Sequence, residues 1–280
     1  MNRAGCDRLR CPVVTEPPID GPVEPAHPDA GEVLDLFASI SDAASDVLAR
    51  NDDWGWSGRR DTQYTVDLAM DDACLPPLLA AGFAVLSEES GVTLPAEVGS
   101  VDETRGLVVV DPLDGSTNAA LGLPWCATAL CLVVDGDPIV ATVTNLRTRD
   151  RFAAVKGGGA THNGRPTTVS SPVSLGEAIV CFNGVPDEHL GWRQARVLGA
   201  TALDICSIAA GGLDGYVDLD HGNISVWDYL ASALILEEAG GVIADLSGRD
   251  LVAVGDDVRR DPVAASSPEL LDELRCAVER

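Results

Sequence analysis

The chain has 280 residues, 46% of them hydrophobic, and a formal net charge of −25 at pH 7. This length is enough for one large core or two smaller ones, and the charge disfavours electrostatic binding to nucleic acid or to an anionic membrane. No apolar run approaches the length of a membrane span, and the N-terminal arginines precede no apolar segment of the kind found in signal peptides. We therefore expect a cytoplasmic protein.

The N-terminal part of the chain divides into a tail and a helical region. Residues 1–30 are rich in proline, glycine and acidic residues, which predicts a disordered extension. Apolar residues then recur at helical spacing and predict an amphipathic helix over about 31–50. A second helix is predicted to begin near Val66, and Pro76-Pro77 should kink or split it.

Strands dominate the centre of the chain. Apolar, β-branched runs predict strands at Ala84–Leu86, Leu107–Val110, Ala127–Val134, Ile139–Asn145 and Arg151–Val155. Asp135-Gly136 is a typical hairpin turn, so part of the sheet should be antiparallel. Gly157-Gly158-Gly159 predicts a turn, because no nucleotide-binding motif follows it. Later segments alternate between helix and strand, which indicates a layered α/β or α+β architecture.

The most informative segment is the apolar run Val108–Val110, which ends in Asp111, Asp114 and a Gly-Ser-Thr-Asn turn. A buried strand that delivers two carboxylates to a glycine turn and a helix start is typical of a combined metal and phosphate site. The D-x-x-D spacing disfavours an aspartyl-phosphate mechanism, which uses D-x-D. No histidine is placed to suggest zinc.

Three further acidic residues occupy comparable positions. Glu88 follows a predicted strand, whereas Asp67 and Asp228 lie at predicted helix starts, where a single acid is most often a helix cap. If the acids converge, each pair about 4 Å apart repels by roughly 4 kcal/mol at an effective dielectric near 20. Such a group protonates or binds cations, and hard oxygen ligands favour Mg²⁺.

Taken in order, these motifs resemble those of the inositol monophosphatase family of lithium-sensitive, Mg²⁺-dependent phosphatases. The resemblance rests on Ser87-Glu88-Glu89-Ser90, Asp111-Pro112-Leu113-Asp114-Gly115-Ser116-Thr117-Asn118, Trp227-Asp228 with Glu238-Ala239-Gly240-Gly241, and, less closely, Thr65-Val66-Asp67. It covers about residues 31–280. It implies a layered αβαβα sandwich with mixed, largely antiparallel sheets and two subdomains divided near residue 150.

The resemblance also implies roles for individual residues. The first Mg²⁺ would be held by Glu88, Asp111 and the Leu113 carbonyl, and a second by Asp111, Asp114 and Asp228. Asp67, with Glu88, would position a further, weaker ion through water, and is counted with Glu88 and Ser116 among the catalytic residues. Glu88 and the Ser116 hydroxyl would orient and deprotonate the attacking water.

Binding residues follow from the same resemblance. The N–H groups of Gly115 and Ser116 would hold the phosphate. The hydroxyls of the substrate would face Asp114, Gly199, Ala200, Thr201, Asp218 and Asp228, with Asp220 as an alternative to Asp218. Ser87, Ser116 and Asp218 depart from the commoner Gly, Thr and Glu of the family, and Arg59 and Arg60 occupy the loop where a Lys is usual.

The expected activity is hydrolysis of a small polyol phosphate, first of all myo-inositol monophosphate, without a covalent intermediate. Histidinol phosphate, fructose-1,6-bisphosphate and 3′-phosphoadenosine nucleotides are alternatives within the same chemistry. A non-catalytic metal-binding relative is disfavoured, because Glu88, Asp111, Asp114 and Asp228 are all present. The resemblance further implies that the protein forms a homodimer and that its ligand is a small phosphate ester.

Overall fold

The structure, a computed structural model, describes residues 28–60, 63–171, 173–253, 255 and 258–278. The predicted disordered extension therefore lies outside the described residues, apart from its last three positions. The helices are α1 (Ala30–Arg50), α2 (Thr65–Ala80), α3 (Ser116–Ala120), α4 (Thr201–Ala209), α5 (Val226–Glu238) and α6 (Pro268–Val278). Among the described residues, no helix is both long enough and apolar enough to cross a membrane.

Fifteen short strands complete the described part of the chain. Eight of them form the first sheet: β1 (Ala84–Ser87), β2 (Gly91–Thr93), β3 (Leu107–Asp114), β4 (Ala127–Val134), β5 (Asp137–Asn145), β6 (Arg151–Val155), β7 (Gly159–His162) and β8 (Arg165–Pro166). The others are β9 (Ile179–Asn183), β10 (Gln194–Arg196), β11 (Gly215–Asp218), β12 (Ile224–Ser225), β13 (Val242–Asp245), β14 (Arg259–Arg260) and β15 (Pro262–Ala265).

The strand pairing is mixed. The first sheet has the order β2-β1-β3-β4-β5-β6-β7-β8 and is antiparallel except for the β1–β3 pair. The second sheet has the order β10-β9-β11-β15-β13 and contains two parallel pairs. The predicted hairpin between β4 and β5 is confirmed: Asp135 and Gly136 have φ values of 54° and 83°, as the twist-matched two-residue turn requires.

Three apolar clusters join these elements into five layers. Val108 and Val110 of β3 face a cluster formed with α1 and α2, whereas Leu107 and Val109 face a second cluster with α4 and α5. This alternation follows from the period of two along a strand. The opposite side of α4 and α5 meets the second sheet, whose outer face packs on α6. The predicted αβαβα sandwich is thereby confirmed. The division into two subdomains near residue 150 stays a prediction.

Helix α1 agrees with its predicted span, but the proline pair in α2 does not split that helix. The missing N–H groups of Pro76 and Pro77 would have bonded to the carbonyls of Asp72 and Ala73. Asp72 and Pro76 are exposed, so water can reach this side of the helix and replace those bonds.

Register between β1 and β3 brings the first two acidic residues together. The pair is parallel, with Ser87 opposite Val110. The next residues, Glu88 and Asp111, therefore lie side by side, and the Glu88 N–H donates to the Val110 carbonyl at 3.2 Å. Strand β3 extends beyond its predicted end to Asp114, with an irregularity in its pairing to β4 between Asp111 and Asp114.

The Gly157-Gly158-Gly159 turn is closed by a carboxylate from α5. Glu238 accepts hydrogen bonds from the N–H groups of Gly157 at 2.7 Å and Gly159 at 2.8 Å. Successive backbone N–H groups in such a turn form an anion-binding concavity. The predicted turn is confirmed, and Glu238 of the Glu-Ala-Gly-Gly motif joins α5 to the first sheet.

Replacing Glu238 with alanine should lower the free energy of unfolding by about 1–3 kcal/mol, because two hydrogen bonds to a charged acceptor are lost. Urea denaturation measures the change. The exposed neighbour Glu237 provides the control, since its replacement with alanine should stay within about 0.5 kcal/mol of the parent. Equal effects of the two substitutions would contradict the role of Glu238.

Candidate active site

Three carboxylates from distant parts of the chain meet at one edge of the first sheet. Glu88 follows β1, Asp111 lies in β3 and Asp228 lies in the first turn of α5. One carboxylate oxygen from each lies within 4.8 Å of the others. This is the spacing of residues that can share a cation.

The two acids at helix starts combine a capping role with an unused oxygen. Asp67 Oδ2 accepts from the Tyr64 N–H at 2.7 Å, and Asp228 Oδ2 accepts from the Ser225 N–H at 2.6 Å. Each acid thus caps its helix with one oxygen. Asp67 Oδ1 is buried and has no hydrogen-bond partner among the described residues, so this atom is available to a ligand.

Asp114 lies beside the three-carboxylate cluster and is held by α4. Its Oδ2 accepts from the Ala202 N–H at 2.8 Å, and the Thr201 N–H also contributes. These N–H groups belong to the first turn of α4, where the helix dipole favours a negative charge. The predicted Gly199–Thr201 segment is therefore placed against Asp114. The Leu113 N–H donates to Asp111 Oδ1 at 3.0 Å and orients the other aspartate of the motif.

Loss of hydration and mutual repulsion raise the pKa values of these acids. Burial is the largest cause for Glu88, whose pKa rises to about 8, for Asp228, about 7, and for Asp67, about 6. Neighbouring carboxylates raise all three further. Burial also holds the pKa of Asp111 and Asp114 well above the usual range. Without a cation, Glu88, Asp111 and Asp114 therefore retain protons near neutral pH.

The donor set fits Mg²⁺. Its members are carboxylate oxygens, which this hard cation prefers, and the unpartnered Asp67 Oδ1 offers one more oxygen nearby. Among the described residues, the groups that could hold a metal contain no histidine or cysteine, which disfavours zinc.

The turn after Asp114 tolerates only glycine. Gly115 has φ +79° and caps α3, and a Cβ at this position would lie 2.9 Å from the Trp125 carbonyl and 3.1 Å from the Ala200 Cβ. The Asn118 side chain ties the turn down by donating to the carbonyls of Trp125 at 2.9 Å and Leu198 at 2.7 Å. Ser116 begins α3, where backbone N–H groups have no partner within the helix.

Asp218 ends β11 and is fully buried. Its Oδ1 accepts from Asn183 Nδ2 at 2.8 Å and from the Asp220 N–H at 3.1 Å, while Oδ2 has no partner among the described residues. The charge of Asp218 contributes to the raised pKa of Asp228. Asp220 itself is exposed and supports Asp218 through its backbone.

Several polar residues around Glu88 are additional to the predicted set. Arg60 donates to the Glu88 carbonyl at 3.1 Å and contacts the Glu89 carboxylate, which Gln63 also contacts. Asp71, one turn beyond Asp67 on α2, accepts from the Ser87 hydroxyl. The available signal was the four-residue spacing of two acids on one helix face, but the sequence does not show which strand that face meets.

Comparison with known proteins identifies the family. The inositol monophosphatase family matches residues 38–280. The chain belongs to this family. It is therefore a phosphoric monoester hydrolase, as the resemblance of its motifs predicted, and the metal dependence of the family agrees with the acidic cluster.

Similar proteins include enzymes named as fructose-1,6-bisphosphatase, as inositol monophosphatase, or as both. The fructose-1,6-bisphosphatase of Pyrococcus furiosus is 31% identical over 222 residues, which are 78% of this chain and 84% of that protein. The fructose-1,6-bisphosphatase/inositol-1-monophosphatase of Archaeoglobus fulgidus is 31% identical over 79% of this chain and 83% of its own length. Inositol monophosphatase 2 of Solanum lycopersicum is 34% identical over 59% of this chain and 65% of its own length.

Solved structures confirm the fold. The inositol monophosphatase from Anabaena superposes with a TM-score of 0.71 at 27% identity, covering 89% of this chain and 96% of that one. Protein PH1897 from Pyrococcus horikoshii superposes with a TM-score of 0.76 at 24% identity, covering 89% and 98% of the two chains.

Replacing Gly115 with alanine should reduce kcat/KM by about tenfold or more, because the added methyl displaces the turn beside the carboxylates. Gly122 is a matched control: its φ is +74°, but a Cβ there meets no atom within 4 Å. Both substitutions incur the cost of a left-handed residue, about 1–2 kcal/mol. Steady-state kinetics should show a loss for Gly115→Ala alone, and equal losses would contradict the packing argument.

The stability of the metal-free protein should fall as pH rises from about 4 to about 8. Glu88 and Asp228 have ordinary pKa values of 4.5 and 3.8, and the fold raises these to about 8 and about 7. The folded state then binds more protons than the unfolded state in this interval, so the free energy of unfolding decreases with pH.

Thermal denaturation in chelator at pH 5 and pH 8 tests this dependence. Added Mg²⁺ should raise Tm more at pH 8, where fewer protons compete with it. The Asp228→Asn variant should show a smaller decrease in Tm between the two pH values. A chelated wild-type protein that gains stability toward pH 8 would contradict the prediction.

Proposed function

We propose that this phosphoric monoester hydrolase is a Mg²⁺-dependent enzyme that hydrolyses a small polyol phosphate, with myo-inositol monophosphate as its leading substrate. The observation that carries the proposal is the convergence of Glu88, Asp111 and Asp228 within 4.8 Å. Asp114 and the Gly115 turn lie next to this cluster. Together they offer cation ligands beside the backbone N–H groups at the start of α3.

We assign two cation positions to this site, as the resemblance to the family implies. Glu88, Asp111 and the Leu113 carbonyl would hold the first cation, and Asp111, Asp114 and Asp228 would hold the second. Asp67, through its unpartnered Oδ1, would contribute with Glu88 to a further, weaker position. When bound, Mg²⁺ supplies Lewis-acid activation of water and neutralises phosphate oxygens.

The remaining steps belong to groups of the chain itself. The N–H groups of Gly115 and Ser116 bind the phosphate at the start of α3, where preorganised dipoles oppose the developing charge. The Ser116 hydroxyl and the Glu88 carboxylate orient the attacking water, and Glu88 accepts its proton. Water attacks the phosphorus directly while the ester P–O bond breaks, so no covalent intermediate forms. The leaving alkoxide takes up a proton from solvent and departs as the alcohol.

Acceptor groups line the proposed side of the leaving alcohol. Asp218 Oδ2 is buried without a partner among the described residues, and such an oxygen is stabilised by a donor such as a substrate hydroxyl. Asp114, Asp228 and the Gly199–Thr201 segment supply further contacts, and Asp220 is the alternative to Asp218. Several acceptors favour a polyhydroxylated substrate.

Fructose-1,6-bisphosphate is the second candidate substrate, because two of the relatives carry fructose-1,6-bisphosphatase in their names. Histidinol phosphate and 3′-phosphoadenosine nucleotides complete the set to be compared.

We also propose a cytoplasmic, lithium-sensitive homodimer. Exposed apolar side chains at Leu121, Leu123 and Val197 offer it a contact surface, and the net charge of −25 argues against nucleic acid or membrane partners.

A panel of these phosphates, assayed with Mg²⁺ and after exhaustive chelation, tests the substrate. Myo-inositol monophosphate should give the highest kcat/KM, and chelation should abolish turnover. Equal and feeble turnover of all the substrates would contradict a polyol specialist. Undiminished turnover after chelation would contradict the metal requirement.

Replacing Asp111 with asparagine should lower kcat/KM by at least about a thousandfold, since it exchanges the charged ligand shared by both proposed cation positions for a neutral, weaker one. The protein should remain folded, as judged by circular dichroism, because the substitution preserves size and relieves repulsion. Asp102→Asn, at an exposed position, is the control and should retain parental activity. An Asp111→Asn enzyme within tenfold of the parent would contradict the assigned role.

A further inference from the structure

Neighbouring acids repel the Glu88 carboxylate and favour its movement away from the site. Asp228, Glu89 and Asp67 all raise its pKa through their charges. Glu88 follows the last residue of β1, so the ladder of that strand does not extend beyond its own N–H. A carboxylate that must face Asp111 therefore needs support from groups outside the sheet.

Asp71 accepts a hydrogen bond from Ser87, the residue that precedes Glu88. Asp71 lies on α2, is only 7% exposed, and accepts from the Ser87 hydroxyl at 2.5 Å. Burial raises its pKa, whereas hydrogen bonds from Ser87 and Ser90 oppose the rise. Burial of a carboxylate is unfavourable unless it is hydrogen-bonded, so Asp71 depends on the Ser87 hydroxyl.

Ser87 passes this contact on to the backbone around Glu88. Its side chain is fully buried. The hydroxyl donates its only proton to Asp71 and accepts from the Glu89 N–H at 3.3 Å. Glu88 is thus enclosed between a bond from its own N–H to Val110 and a bond from the following N–H to Ser87.

We propose that Asp71 is a positioning residue of the metal site, which acts through Ser87 to hold the Glu88 carboxylate toward Asp111 and Asp228. The inference rests on the proposed function, because it assumes that these acids bind Mg²⁺. Asp71 itself is not a ligand in this scheme. It determines how closely the site is preorganised, as hydrogen-bonded supports of metal ligands generally do.

Calorimetric titration of chelator-stripped protein with Mg²⁺ tests the role of Asp71 without relying on turnover. Asp71→Ala should weaken Mg²⁺ binding about tenfold or more, and Asp71→Asn, which can still accept from Ser87, should be weakened less. The neighbouring Asp72 is exposed on the same helix. Asp72→Ala is therefore the matched control and should bind Mg²⁺ within about twofold of the parent.

A double-mutant cycle with Ser87→Ala tests the path of the effect. If Asp71 acts through Ser87, the Asp71→Ala/Ser87→Ala variant should bind Mg²⁺ about as weakly as the worse single variant. If the fold-losses in Mg²⁺ affinity of the two single variants multiply in the double variant, Asp71 does not act through Ser87. Ser87→Ala also provides a small substitution that keeps the inference testable if Asp71→Ala fails to fold.

Two outcomes distinguish this inference from the proposed function. If the wild-type protein binds Mg²⁺ and folded Asp71→Ala binds it equally well, with only a lower Tm, Asp71 is merely structural and the inference is overturned. If the wild-type protein binds no Mg²⁺, the proposed function fails and the inference fails with it. At low Mg²⁺ the Asp71→Ala variant should have a reduced kcat, and saturating Mg²⁺ should restore much of it in steady-state assays. A kcat that stays equally low at saturating Mg²⁺ would also overturn the inference.

Discussion

Repulsion between carboxylates that cannot move apart is the constraint on which this molecule depends. The parallel register of β1 and β3 fixes Glu88 beside Asp111, and the first turn of α5 fixes Asp228. At 4 Å each ionised pair costs about 4 kcal/mol at an effective dielectric near 20. The apolar clusters on both faces of the first sheet hold these elements in place. A bound cation or retained protons must therefore offset the repulsion between carboxylates that the packing holds together.

Helix starts provide part of that balance. Three helix N-termini bind acids of the site. Asp67 and Asp228 lie in the first turns of α2 and α5 and cap those helices, whereas Asp114 accepts from the first turn of α4. Each acid gives one oxygen to the backbone N–H groups there, which carry partial positive charge. The capping interpretation of such acids and the ligand interpretation are therefore compatible, because a carboxylate has a second oxygen to offer.

Local patterns predicted most of the fold, and motif resemblance predicted its layers. The β4–β5 hairpin follows from Asp135-Gly136, since only certain residues adopt its positive φ values. Features that depend on tertiary packing could not be predicted from local sequence. Pro76-Pro77 is tolerated because its side of α2 is exposed. Asp71 contacts Ser87 only because β1 packs on α2. The acids could be named from sequence, but the hydrogen bonds that aim them depend on packing.

Two glycine turns show why such turns are ambiguous in a sequence. Backbone N–H groups in the Gly157–Gly159 turn bind a carboxylate, yet that carboxylate is Glu238 of the same chain, about eighty residues away. The turn at Gly115 stands beside acids whose other contacts are already made by α4 and α5. The Gly115 turn is proposed to bind the substrate phosphate through backbone N–H groups in the same way. What separates a structural turn from a ligand site is whether the fold brings its own anion to it, and tertiary packing alone decides that.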